Sequence, residues 1–350
     1  MGPAFFRSVS MAELTICMPS HRPLDGSRAA IDSALAFCEA RDALLVVSDN
    51  SGDAAKKAYL QDLSPRLTYV ASEAQNAFAN MFNAVEAAST PFIIPMGDDD
   101  EIVAEADQVP FDLDDLSFDY VGVLPVTESF LQRSEAGSVQ AFALEEYDPG
   151  ERMLAYLQNS PTNNGGFYSI LRREVWLATM DLFLRSHPTQ AATSDWAIAL
   201  SLFATGKMAH DPSIRYRYNA EKWAETAKIE AERKAMLLEA GLPESAVHYE
   251  MLLLFLDVFV LINRVGSPLS IDERQRLGKF TVNRFLGSFI KEVADSPERY
   301  AEGVTGLAEM ALEETDSFTQ FQIAMLMAER LQPGLKDKYV AFIQASIAGA

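Results

Sequence analysis

An α/β fold built on a mostly parallel sheet, followed by an α-helical region, is the fold class this sequence predicts. Three observations carry that reading. Short apolar runs alternate with helix-like segments over the first hundred residues. From about Ala220 the pattern turns helical throughout. Three adjacent carboxylates, Asp98, Asp99 and Asp100, directly follow an apolar run, at the strand end where open α/β sheets bind their ligands.

The elements follow in order. Residues 14–19 (LTICMP) read as a strand and 27–40 as a helix. Residues 43–49 (ALLVVSD) form a second strand and 53–62 a second helix. A short strand at 67–70 and a helix at 75–88 precede the fourth strand, 91–96 (PFIIPM). This rhythm of strand and helix implies parallel pairing through right-handed crossovers. Residues 101–117 then read as an acidic loop, 120–127 as a strand, and 128–150 as a loop or irregular hairpin. A short helix at 151–158 gives way to SPTNNGG, which has loop chemistry. FYSILRREVW reads as strand then helix, 195–204 as a helix ended by Gly206, and MAHDPSIRYRY as one or two strands. In the helical region Trp223, Ala227, Ala231, Lys234 and Leu238 share a face, and Val247, Met251, Leu254, Phe255, Val258, Leu261 and Ile262 follow helical spacing. The helix over 251–262 is apolar all round, so it is buried in a bundle or in a subunit interface. Three segments result: a disordered leader or cloning remnant at 1–12, an α/β domain at 13–219 and an α-helical domain at 220–350.

Composition narrows the function. The 350 residues are 49% apolar, and 29 Lys and Arg stand against 50 Asp and Glu, a net charge of −21. Such a balance disfavours nucleic acid and anionic lipid as partners. Cys17 and Cys38 form no disulfide framework or metal-ligand spacing, which suits a reducing compartment. No signal peptide is read, and 251–262 is shorter than the roughly 20 residues that span a bilayer. A cytoplasmic protein, at most peripheral to a membrane, is expected.

The acidic triplet is the densest chemistry in the chain. Adjacent carboxylates repel one another unless a cation neutralises them, and hard cations take one or two carboxylates plus substrate phosphate oxygens. A solvated acidic turn is the other reading. LTICMPSHRP, LLVVSDNSGD, NMFNAVEAASTPFIIPMGDDDE and TSDWAIALSLFATGKMAHDP stand in order over residues 13–218. In that order they resemble the inverting family 2 glycosyltransferases, with the nucleotide-diphospho-sugar transferase (GT-A) fold. The helical tail, 220–350, has no counterpart in that resemblance.

The resemblance implies a metal-dependent transfer of a sugar from a nucleotide-diphospho-sugar to an acceptor hydroxyl, with inversion. Such reactions serve polysaccharide or glycoconjugate synthesis. The acceptor would be a glycan, a lipid-linked group or another hydroxyl. Asp98 and Asp100 of the DxD motif would ligate Mn²⁺ or Mg²⁺, with Asp99 replacing one of them or touching the ribose. Pro19, Ser20, His21 and Arg22 would line the nucleotide, Asp49 and Asn50 would meet the base or ribose, and Asn80 and Asn83 would lie near the donor. Asp195 would be the general base, with Ser194 standing where the family usually has Glu. Asn163, Asn164, Gly165, Gly166 and Trp196 would contact the acceptor. Each has a structural reading beside it: an Asx turn at Asp49, a helix cap at Asp195, a plain turn at 163–166, a polar helix face at Asn80 and Asn83. His210 reads as a packed histidine before a metal ligand. The two-sided apolar helix suggests a homo-oligomer through the helical domain. A non-catalytic sugar-nucleotide or glycan-binding module is the alternative function. A nucleotidyltransferase is disfavoured, since PSHRPLDGSR is a poor phosphate loop.

Overall fold

The computed structural model describes residues 12–133, 137–161, 163–190 and 194–348. The leader, apart from Ala12, lies outside them. The α/β part runs β1 (Leu14–Ser20), α1 (Leu24–Arg41), β2 (Leu44–Asp49), α2 (Ala54–Leu60), β3 (Leu67–Ala71), α3 (Ala77–Ala87) and β4 (Phe92–Pro95). It continues with β5 (Glu101–Ala104), β6 (Tyr120–Phe130), β7 (Val139–Gln140), α4 (Pro149–Asn159), β8 (Ile170–Arg172), α5 (Arg173–Ser186), α6 (Ser194–Thr205) and β9 (Lys207–Asn219). Among the described residues the sheet order is β3-β2-β1-β4-β8-β6-β9-β5, with β7 added to β6. Strands β1 to β4 pair in parallel, β8 is antiparallel to both β4 and β6, and β6 is parallel to β9.

The parallel half follows from its sequence. Ile16, Cys17, Met18, Leu45, Val47, Ile93 and Ile94 are all buried, as strands covered on both faces require. Helix starts are capped by short polar side chains. Asp53 accepts from the Ala55 N–H, Asn76 from Ala79, and Asp148 from Gly150 with Pro149 in the first turn. The ends of β1, β2 and β4 thus bring residues 20–22, 49–50 and 98–100 to one edge of the sheet.

One expectation changes here, and one open reading is decided. The acidic segment 101–117 is not all loop: Glu101–Ala104 is an edge strand paired antiparallel with β9. Residues 128–150 contain a hairpin, since β6 runs on to Phe130 and pairs with β7.

Beyond Asn219 the described chain is helical: α7 (Thr226–Glu239), α8 (Glu250–Asn263), α9 (Ile271–Thr281), α10 (Gly287–Asp295), α11 (Val304–Glu313), α12 (Ser317–Leu331) and α13 (Leu335–Ala348). The face read for α7 is not the packed one. Leu237 is its buried residue, while Leu238 is 44% exposed. Every residue of α8 from Leu252 to Ile262 is buried. With the turn before it, α8 makes a continuous 20-residue segment, Glu244–Asn263, long and apolar enough to cross a membrane by length and composition alone. It packs inside the chain instead, against α6, α9, α12 and α13. The motive for placing it in a subunit interface is therefore gone: its own chain covers it. One continuous apolar core joins Leu200 and Phe203 of α6, Trp176 and Phe183 of α5, and Phe255, Phe289 and Phe342 of the helical part.

Candidate active site

The turn after β1 is organised around Asp98. Its Oδ2 accepts from Ser20 Oγ at 2.8 Å and from the backbone N–H groups of His21 and Arg22, both at 3.1 Å. The Arg22 guanidinium bridges the triplet, contacting Asp98 Oδ1 with one nitrogen and Asp99 Oδ2 with the other at 2.7 Å. Burial alone would raise the Asp98 pKa. The guanidinium, the N–H donors and the hydroxyl outweigh it and hold the carboxyl below its usual range. His21 is open, its side chain 68% exposed, and Pro19 is half-buried.

Asp100 turns the other way. Tyr216 donates its hydroxyl to Oδ2 at 2.5 Å and the Asn219 N–H reaches Oδ1 at 2.8 Å. Burial, then the charge of Asp99, push its pKa up to about 7. Glu101, next along, is paired with Arg133 and Arg217. The chain's own arginines thus supply counter-charge to this acidic run.

That arrangement bears on the metal. Asp98 and Asp100, each 2% exposed, diverge toward separate protein donors. Among the described residues no group of three His, Cys, Asp or Glu converges on a point. Asp99, its side chain 28% exposed, is the open carboxylate of the three. A hard cation that takes one carboxylate and completes its shell from phosphate oxygens fits the donor chemistry of Asp99. A pair formed by Asp98 and Asp100 does not fit.

The second strand brings in a residue that the sequence reading missed. Lys56 of α2 is fully buried, 3.1 Å from Asp49 Oδ1, and it donates to Ser20 Oγ and to the Arg22 carbonyl at 2.8 Å. It ties the ends of β1 and β2 together. The signal was available, because Lys56 lies four residues before buried Leu60 on the same helix face. Asp49 also accepts from the Ser51 N–H at 3.1 Å and from the Tyr69 hydroxyl at 3.3 Å. The former is the Asx turn that was the structural reading there. Asn50 and Asn80 are joined at 3.2 Å, Asn80 brackets Ser48, and Asn83 donates to Ser72 Oγ at 3.0 Å. These asparagines brace strand ends.

Asp195 lies in the first turn of α6. Asn164 donates to its Oδ2 at 3.0 Å. The Tyr156 hydroxyl in turn donates to Asn164 Oδ1 at 2.5 Å and accepts the Gly166 N–H at 3.1 Å. Asn163 closes the turn by accepting the Gly165 N–H at 3.0 Å. Trp196 packs 5.9 Å from the Tyr156 ring, which fills the space behind the loop. Burial raises the Asp195 pKa, and the Asn164 hydrogen bond opposes that. Glycine serves packing here: a Cβ on Gly166 would meet Tyr156 at 2.6 Å and Phe203 at 2.8 Å. His210 bonds the Leu124 carbonyl through Nδ1 at 2.9 Å, the packed role expected of it.

Three tyrosines connect the two sides. Tyr168 stacks on Tyr216 at 5.0 Å and lies 5.7 Å from Tyr218. Burial and the fields of Asp99, Asp100 and Asp195 all raise the phenols of Tyr168 and Tyr218. Tyr168 and Tyr218 thus lie in the fields of both Asp195 and the triplet.

No curated protein sequence matches the chain. Crystal structures of S. aureus TarS residues 1–349 align over 95% of this chain and 90% of theirs, at 14% identity and a TM-score of 0.42. The same fragment in complex with UDP-GlcNAc aligns at 13% identity, over 95% of this chain and 91% of that one, with a TM-score of 0.41. The model of glycosyl transferase family 2 matches residues 15–176, which include the triplet and the Asn164 loop and end before Asp195. That match, confined to residues 15–176 of the α/β part, supports a glycosyltransferase.

Proposed function

We propose that this glycosyltransferase moves a sugar from a nucleotide-diphospho-sugar to an acceptor hydroxyl with inversion at the anomeric carbon. The observation that carries the reading is Asp195, a half-buried carboxylate held by Asn164 at 3.0 Å, with Tyr168 in the field of both Asp195 and the acidic triplet. The turn formed by Ser20, His21 and Arg22 takes the nucleotide end, beside Asp49. A neutral hydroxyl is a weak nucleophile, so a carboxylate must take its proton as it attacks. Asp195 does this at Oδ1 or Oδ2 while Asn164 fixes the plane of the group. Its raised pKa makes it a stronger base than an exposed aspartate. Asp99 would hold Mn²⁺ or Mg²⁺, whose chemistry is to neutralise the diphosphate leaving group. Asp98 and Arg22 keep the β1 turn closed beneath it.

A thermal-shift series of nucleoside diphosphates with and without Mn²⁺ tests the donor half, since a ligand bound only by the native state raises its melting temperature. The anomeric coupling of the product by NMR tests inversion. A retained configuration would overturn the single-displacement mechanism.

A further inference from the structure

We propose that His187 is a positioning residue through which the helical region sets the geometry of Asp195; this rests on the reading of Asp195 as the base. His187 ends α5 and its side chain is fully buried. Its Nε2 lies 2.8 Å from Asp257 Oδ1, off the ideal line for a hydrogen bond, and Asp257 projects from the middle of α8. Tyr339 of α13 donates to the same oxygen at 2.8 Å. An aspartate inside an apolar helix is costly unless paired. Packing needs none here: the ring of His187 already stacks on Phe183 at 4.1 Å and abuts Phe342 at 5.2 Å.

The other face of the imidazole supplies the use. Nδ1 accepts the Gln190 N–H at 2.8 Å and the Thr189 N–H at 3.3 Å, so it carries no proton. The proton then sits on Nε2, close to Asp257 Oδ1 but not aligned on it. Gln190 is held with φ at +48°, in the left-handed region, by that bond and by its own side chain donating to the Leu184 carbonyl at 2.9 Å. Four residues later the chain is in α6, and α6 packs directly on α8. Helix α8 therefore touches the described chain on both sides of residues 191–193: His187 through Asp257, and α6 by apolar contact. Gln190 also accepts from Asn76, the cap of α3, at 3.1 Å, which ties the same turn to the donor side.

The test uses the full chain carrying His187→Gln, His187→Asn, Asp257→Asn or Tyr339→Phe. Steady-state transfer gives kcat and donor KM, and amide hydrogen exchange over residues 187–198 gives a readout that needs no substrate. His187→Gln and Asp257→Asn are expected to speed exchange of the segment through Trp196. They should lower kcat about ten- to a hundredfold, the scale of an ångström of misplacement, with donor KM within twofold of wild type. His187→Asn, which keeps an acceptor where Nδ1 lies, should retain more exchange protection and more kcat than His187→Gln. If Asp257→Asn does not fold, Tyr339→Phe removes one contact to the same oxygen and is expected to show the smaller form of both effects. Wild-type exchange and kcat in the variants that fold overturn the proposal, as does a joint loss of kcat and KM that tracks a fall in melting temperature. Should the wild-type chain show no transfer, the base assignment falls. Exchange that quickens only up to Gln190, and not at Asp195 and Trp196, then overturns positioning by itself.

Discussion

Asp195 carries its charge against its surroundings, and that fixes the sign of its effects. Its folded pKa lies above the unfolded value, so the native state is favoured most where the group is protonated. That advantage is lost as pH rises through the folded pKa. Asp195→Asn should therefore raise the melting temperature at pH 7, and leave it unchanged below about pH 3.9, where both states are protonated in the wild type. The same variant should keep nucleotide affinity and lose about two to four orders of magnitude in kcat. A lower melting temperature at pH 7 would contradict the burial argument. The Asn164 amide stabilises the charged form, so Asn164→Ala should move the acidic limb of the kcat profile to higher pH. Arg22 is the other residue with a measurable sign. Removing it leaves Asp98 buried with Ser20 and two N–H donors, and Arg22→Ala should cost about 1–3 kcal/mol in urea unfolding.

Elements differ in how much of them the sequence discloses. The parallel strands are legible because burial on both faces leaves near-continuous apolar runs, as in FIIP of β4. Strand β5 is not: EIVA is four residues long, lies at the sheet edge and is flanked by carboxylates. Its pairing is supplied by β9, 100 and more residues later. The α7 stripe misleads because Ala and Lys fit a helix without needing cover, so periodicity there reports helix and not burial. At the site, Asp98 to Asp100 and Asp195 are legible as carboxylates at element ends. Their partners are not, since Arg22, Tyr216 and Asn164 reach them across the fold, as Lys56 reaches Asp49 and Tyr156 reaches Asn164. Two variants probe that hidden layer. Lys56→Met leaves Asp49 buried without its counter-ion and should cost about 3–5 kcal/mol, read by thermal or urea unfolding. Gly166→Ala forces its Cβ against Tyr156 and Phe203. It should lower kcat with nucleotide affinity unchanged; weakened nucleotide binding would show that the turn serves the donor side instead.

Across the whole molecule, α5 and α6 have two neighbours to satisfy, the sheet on one side and the helical region on the other. A chain ended after Asn219 would expose the faces of α5 and α6 that α8 and α13 cover, so it should be aggregated or molten by size-exclusion and near-ultraviolet dichroism. Phe255→Ala, in the middle of α8, should cost about 3–5 kcal/mol, the range for deleting a buried ring. A well-folded truncated chain would mean that the covered faces tolerate water. The shared core also has a calorimetric consequence. Heat should melt the chain in a single peak, with calorimetric and van't Hoff enthalpies equal, because no seam separates the apolar contacts of α6 from those of α8. A nucleotide touching only the ends of β1, β2 and β4 should then delay the melting of α13 as much as that of the sheet. Two peaks, with the ligand shifting one alone, would mean that the core parts under load where it looks continuous at rest.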